Sequence, residues 1–411
     1  MASRKPPTAA GGAQLDRSLG LGLITLYGLG NILGAGIYVL IGEVIGVAGM
    51  GTPLAFVMAA VIAALTAFSY GELAARFPVS AGEAVYVQEA FKQRALSTVV
   101  GLLIACSGMI AAATMTRGFT GYFRVLFDLP DAVLIVSLVA TLGLIAAWGI
   151  KGSARVAAIL TVLEFAGLVM IIVVAGDNLD TVPENLPGMI PFVGDVAITS
   201  VVLGAFLAFF AFIGFEDMIN VAEEVVHPER NLPLGILIAL CLSTVLYLLV
   251  VLASLTSVPL ELLAESDAPL ALVYEQATGR SPVVISAIGL LAVVNGALVQ
   301  IIMAARIFYG MSAKGWLPRA LGEVNPRTHT PVTATILVAA IIVSLALWFP
   351  LVRLAGATSF LVLAVFTLVN LALVVLKWRR PVVVGVIPCP IWVPCVGAAT
   401  SFGLLLSQLI Y

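Results

Sequence analysis

The stretch Gly30-Asn31-Ile32-Leu33-Gly34-Ala35-Gly36-Ile37-Tyr38 lies in the middle of an apolar run from about Leu21 to Val47, and it holds three glycines. Each interior glycine costs a helix roughly 1 kcal/mol against alanine, so a break near the middle is expected. A broken helix leaves N–H groups unpaired at the start of one half and carbonyls unpaired at the end of the other. Such ends suit a carboxylate and an ammonium, respectively. Ile32 to Ile37 therefore reads as half of a binding site for a small zwitterion. The alternative is that the glycines only let helices pack closely.

A second candidate break lies in Phe209-Phe210-Ala211-Phe212-Ile213-Gly214-Phe215-Glu216-Asp217, where one glycine is followed at once by two acids. Intramembrane acids usually face a water-filled cavity, so Glu216 and Asp217 are expected to line a vestibule below the break; direct contact with substrate is the alternative. Glu164 is the sole acid in the apolar stretch 154–176. Burial raises a carboxyl's pKa, so Glu164 is a candidate carrier of a coupling proton. Its other reading is a hydrogen-bonded glutamic acid that ties two helices together. Asn295 and Gln300 are polar in an otherwise apolar run and either line the path or bond between helices. No Thr-Ser pair stands there to supply hard oxygen ligands, which argues against sodium coupling. Arg117 is expected to pair with an acid, with Glu43 as a candidate.

The elements that must position these residues are membrane helices. The chain has 411 residues, 61% hydrophobic and only 10% charged, where a soluble domain carries about 25% charge. Apolar runs fall at about 20–45, 49–75, 95–122, 132–150, 154–176, 196–221, 232–256, 281–310, 331–349, 354–376 and 388–410, which predicts about eleven spanning helices. With the N-terminus in the cytoplasm, all of the 20 Lys and Arg residues except Arg117, Arg124, Arg280 and Arg353 fall inside or near the inner face, as the positive-inside rule requires. Residues 1–18 read as a disordered cytoplasmic tail, 19–176 as a first five-helix repeat, 177–195 as an extracellular loop, 196–376 as a second, inverted repeat, and 377–411 as an additional helix. The loop between Arg76 and Arg94 is amphipathic and expected in the cytoplasm. No signal peptide, basic nucleic-acid-binding run, metal-ligand cluster or cofactor motif is evident, and the four cysteines read as core residues.

The two breaks fall in helices one and six, five helices apart. An odd number of helices per repeat gives halves of opposite topology, and interrupted segments at matching positions point to a transporter's substrate site. The motifs Gly34-Ala35-Gly36-Ile37-Tyr38-Val39-Leu40-Ile41-Gly42-Glu43, Phe210 to Glu216 with Ala222-Glu223-Glu224 and the Pro228/Arg230/Pro233 spacing, and Ala304-Ala305-Arg306 with Gly315-Trp316-Leu317-Pro318 together resemble the amino acid–polyamine–organocation transporter superfamily. Within it the chain looks most similar to the branch of cationic amino acid transporters and their bacterial relatives. The likeness runs from Leu19 to about Arg380.

This resemblance implies the five-plus-five inverted-repeat (LeuT-like) fold and alternating access. It implies a carboxylate held by the amides around Gly34, Ala35 and Gly36, and an α-ammonium held by the carbonyls of Ile32, Phe210, Ala211 and Ile213. Phe212 or Phe215 is the implied gate over the substrate, whose side chain would point towards Cys106 to Ala113 and Asn295. In similar bacterial proteins the position of Glu164 can hold a lysine, and this chain departs from that pattern.

The expected activity is secondary active transport of amino acids across the cell membrane, proton-coupled, with a neutral or broad substrate range. Alternatives are a cationic amino acid transporter, an exchanger without proton coupling, and a transporter-like nutrient sensor. A channel would need a continuous polar pore, and nothing in the sequence points to an enzyme.

Overall fold

The computed structural model describes residues 17, 19–79, 82–148, 153–191, 196–313, 315–328, 330–379 and 388–410; the expected tail at 1–18 lies almost wholly outside them. In order the helices are α1 (Leu21–Leu33), α2 (Ala35–Ala48), α3 (Thr52–Arg76), α4 (Gly82–Phe91), α5 (Arg94–Arg124), α6 (Asp131–Trp148), α7 (Ser153–Val174), α8 (Val182–Met189), α9 (Ile198–Phe209), α10 (Pro228–Ser257), α11 (Leu260–Ala264), α12 (Pro269–Thr278), α13 (Val283–Ala313), α14 (Val332–Trp348), α15 (Leu351–Arg379) and α16 (Trp392–Ile410). Among the described residues eight helical stretches are long and apolar enough to cross a membrane; the first, Leu21–Arg76, takes in α1, α2 and α3, and two shorter apolar helices, Ala158–Val174 and α14, stand beside them. Every apolar run predicted to span is occupied by a helix. Within the predicted loop 177–195 the chain forms a 3-10 turn and then α8, which carries Pro183 in its first turn, a residue pre-set for that position.

Lipid tails are as apolar as leucine, so packing and interhelical hydrogen bonds, rather than hydrophobic transfer, must hold the bundle together. Asn370 of α15 shows the second device. Its amide nitrogen donates to Thr66 Oγ1 at 2.9 Å, and its Oδ1 accepts from Ser69 Oγ at 2.6 Å, joining α15 to α3. At one end of the same helix pair Glu72 is 3% exposed. It meets Arg76 at 2.5 Å and Lys377 at 2.6 Å, and accepts from the Cys389 amide at 2.8 Å. Three segments, α3, α15 and the residues before α16, converge on one carboxylate there. Removing one partner of such a buried ion pair typically costs about 3–5 kcal/mol.

Both expected breaks are present. α1 stops at Leu33, Gly34 turns the chain, and α2 begins at Ala35. α9 stops at Phe209, passes through a 3-10 turn at Phe210–Phe212, and opens at Ile213 into extended backbone; a 3-10 helix, Glu216–Glu224, follows. Beyond it, Leu19 pairs with Val225 in an isolated parallel bridge, fastening the residues before α1 to those before α10.

Candidate functional site

The two breaks meet backbone to backbone. A Cβ built on Gly36 would lie 2.5 Å from Ala211 Cα, and one on Gly214 would lie 2.7 Å from the Asn31 carbonyl carbon and oxygen. Gly214 also has φ +129, a region essentially restricted to glycine. These two glycines let the helix ends touch, which a residue with a side chain would prevent.

At the start of α2, the N–H groups of Ala35 and Gly36 belong to the first helical turn and have no partner within the helix. The carbonyls at the other ends are engaged. Tyr247 of α10 donates its hydroxyl towards Ile32 O at 2.6 Å and Ala211 O at 3.0 Å. The Phe210 carbonyl accepts from the Ile213 amide at 3.2 Å. Thus one buried hydroxyl joins the two breaks. The sequence reading did not single out Tyr247. The available signal was a tyrosine inside an apolar helix, since a buried Tyr O–H needs a partner.

The aromatic residues around the second break divide into separate groups. Phe212 packs edge-on against Phe56 and Tyr247, with centroids at 6.2 and 5.3 Å, and Phe215 packs against Tyr70 and Phe366 at 5.6 and 5.3 Å. Both are fully buried in these groups. Phe210 instead joins Leu40, Ala111 and Ala355 in a small apolar cluster, with Ile213 and Leu351 against it. A largely apolar, open cavity is lined by Val47, Ile110, Phe206, Arg353 and Gly356 among others. A separate narrow cavity, bordered by Ala111 and Ile213 of the Phe210 cluster, reaches Ile104, Gly108, Glu216, Asp217 and Gln300.

Glu216 and Asp217 are 8% and 3% exposed. Glu216 Oε2 accepts from the Gly214 amide at 2.8 Å, so this carboxylate caps the break itself. Asp217 Oδ2 accepts from Gln300 Nε2 of α13 at 3.2 Å. A third acid, Glu83 of α4, completes the cavity. Burial pushes its carboxyl up to about 8, with the charge of Glu216 adding to the effect. The amphipathic loop that carries Glu83 was legible in the sequence, but its position under the sixth helix was not.

Glu164 is buried in α7. Its Oε1 accepts from Asn295 Nδ2 at 3.2 Å, its Oε2 has no hydrogen-bond partner, and its backbone carbonyl accepts from Tyr38 at 2.7 Å. Glu164 and Asn295 are thereby brought together behind the breaks, and Asn295 does not line the cavity with Asp217. Arg117 pairs with Asp131 at 3.5 Å and donates to the Phe349 carbonyl at 3.3 Å. Asp131 at the start of α6 thus takes the place that the sequence reading offered to Glu43.

A multi-helix membrane protein whose two interrupted helices meet at their broken ends, beside a buried cavity, has the build of a transporter. A family model described as amino acid permease matches residues 20–411. The chain is 31% identical to the branched-chain amino acid permease BcaP of Bacillus subtilis (strain 168), over 97% of this chain and 89% of that protein. It is 31% identical to the vacuolar cationic amino acid transporter 4 of Arabidopsis thaliana, over 90% of this chain and 64% of that protein. It is 28% identical to the methylthioribose transporter of Bacillus subtilis (strain 168), over 92% of this chain and 86% of that protein. The chain belongs to the amino acid permease family, and its relatives are transporters, not enzymes.

Proposed function

We propose that this permease moves amino acids by alternating access, holding the α-carboxylate on the amides of Ala35 and Gly36, beside Gly34, whose own amide donates to the Gly30 carbonyl at 3.0 Å, and the α-ammonium on the carbonyls of Ile32, Phe210, Ala211 and Ile213. The observation that carries this reading is the Tyr247 hydroxyl, which lies within bonding distance of two carbonyls but has one proton to donate. An ammonium has three donors and serves such a pair fully. The helices of 19–176 and 196–376 act as the two inverted repeats, with Phe210 and its apolar neighbours closing one side of the site. The substrate range is neutral or broad, and the setting is the cell membrane with the N-terminus in the cytoplasm.

Glu164 carries the coupling proton in this reading. Support comes from its unpartnered carboxyl oxygen, buried beside the broken helices, because an intramembrane acid is functional by default. The test is uptake of labelled amino acids into proteoliposomes with and without an inward proton gradient. Uptake should rise with the gradient, and Glu164→Gln should lose that rise while keeping exchange. A Glu164→Gln protein with its full gradient response would assign the proton elsewhere and leave Glu164 as a tie between α7 and α13. Failure of every amino acid to enter, even by exchange, would favour a sensor.

A further inference from the structure

The open apolar cavity measures about 650 Å³, within the roughly 300–1,000 Å³ of small-ligand sites. Five helices wall it: Val47 comes from α2, Ile110 from α5, Phe206 from α9, Gly356 and Phe360 from α15, and Gln408 from α16. Among the described residues, its polar side chains are Arg353 and Gln408, and no acid or hydroxyl lines it. Arg353 makes no hydrogen bond or ion pair among those residues. The Gln408 amide nitrogen is buried without a hydrogen-bond partner. Two donors that lack partners in one wall call for an acceptor, and a guanidinium calls for a charged one. A zwitterion suits the place badly, because its ammonium would meet a cation and no carboxylate.

The apolar part continues from the guanidinium inwards. Arg353 stands in the first turn of α15, and Phe360 lies two turns on, about 10 Å along the helix. Val352, Gly356 and Phe360 recur at every fourth residue, so they share one face of α15. Gly356 leaves room opposite Phe206, where a Cβ would already be in contact at 3.5 Å. An arginine at the end of a membrane helix brings its charge to the interface, the level at which a bilayer amphiphile carries its headgroup.

We infer that this cavity binds a long-chain fatty-acid anion from the bilayer, with its carboxylate on Arg353 and the Gln408 amide and its chain along Val352, Gly356 and Phe360 towards Phe206. The volume suits one acyl chain, where a phospholipid brings two. The site goes beyond the transport reading and rests on neither the zwitterion contacts nor the proton step.

The purified protein in phosphatidylcholine nanodiscs is irradiated with a palmitate that carries a diazirine in its chain, and the labelled peptides are mapped by mass spectrometry. Labelling should saturate and concentrate on α9 and α15 around Phe206, Gly356 and Phe360. Unlabelled palmitate should displace it at least about tenfold better than hexadecanol, which has the same chain without the carboxylate, because a hydrogen bond to a charged group is worth that much. Arg353→Gln should bring this ratio towards one, and Arg353→Lys should keep most of it. Ala357→Phe, which puts a ring into the cavity wall, should remove the saturable labelling. The displacement ratio belongs to the folded molecules only, so a partly misfolded variant still reports it. Unsaturable labelling spread equally over α6 and α14, equal displacement by palmitate and hexadecanol, or an Arg353→Gln protein with the full ratio would overturn the site. Phosphatidylglycerol displacing as well as palmitate would overturn the single-chain ligand, and displacement by leucine would make the cavity part of the substrate path instead.

Discussion

Tyr247 and Ile32 are 215 residues apart in the chain, yet the hydroxyl of one lies 2.6 Å from the carbonyl of the other. Replacing Tyr247 with Phe removes the only side-chain donor described for the Ile32 and Ala211 carbonyls. Leaving buried acceptors unpaired costs about 1–3 kcal/mol each. The unfolding midpoint of Tyr247→Phe in detergent should therefore fall. A saturating neutral amino acid should then raise the variant's midpoint more than it raises the wild type's, because the substrate ammonium takes up both vacated carbonyls. An equal rise in the two proteins would mean that the ammonium binds elsewhere. At this scale the sequence was informative about the glycines and the intramembrane acids. It was silent about which side chain would bridge the breaks, because a hydrogen-bond partner across the bundle leaves no local pattern.

Helix α4 is an element whose place decides a charge. Its first turn delivers Glu83 into a buried wall, where the carboxyl rises from 4.5 to about 8 through burial. Between those values the folded protein holds a proton that the unfolded chain has released. The contribution of this group to stability is therefore complete below about pH 4.5 and falls as the pH rises through about 8. Unfolding midpoints taken from about pH 5 to pH 9 should show this decline in the wild type and a flatter profile in Glu83→Gln. A decline of unchanged slope in the variant would place the titrating group elsewhere. Periodicity revealed α4 as amphipathic, and it could not reveal what the buried face would touch. The 3-10 course of Glu216–Glu224 was equally hidden, since it follows from the Glu216 cap on Gly214 and the bridge from Val225 to Leu19.

For the whole molecule, the proposed orientation, which the positive-inside rule favours, puts α4 towards the cytoplasm and the α5–α6 turn outside. Gln93 and Asp128 are both exposed, one at each of these places. With the native cysteines replaced by serine, a single cysteine at Gln93 should react with a membrane-impermeant maleimide only after the cells are permeabilised. One at Asp128 should react in intact cells. The reverse pattern would invert the topology and place the acidic cavity on the outer side. This is consequential for the cavity lined by Glu83, Glu216 and Asp217, which in the proposed orientation lies towards the cytoplasm.

By itself the sequence determined that this is a helical membrane protein, where its helices run, and that the first and sixth of them are interrupted. Those properties follow from local composition: apolar length, glycine in the wrong place for a helix, and charge at the ends of spans. Tertiary structure alone decided that Phe210 joins a small apolar cluster, that Phe212 and Phe215 retire into aromatic packing, that Asn295 serves Glu164, and that Glu83 joins Asp217 and Gln300. The physical reason is range. Breaking a helix depends on residues within one turn, whereas satisfying a buried polar atom depends on whichever distant side chain the packed bundle brings to it.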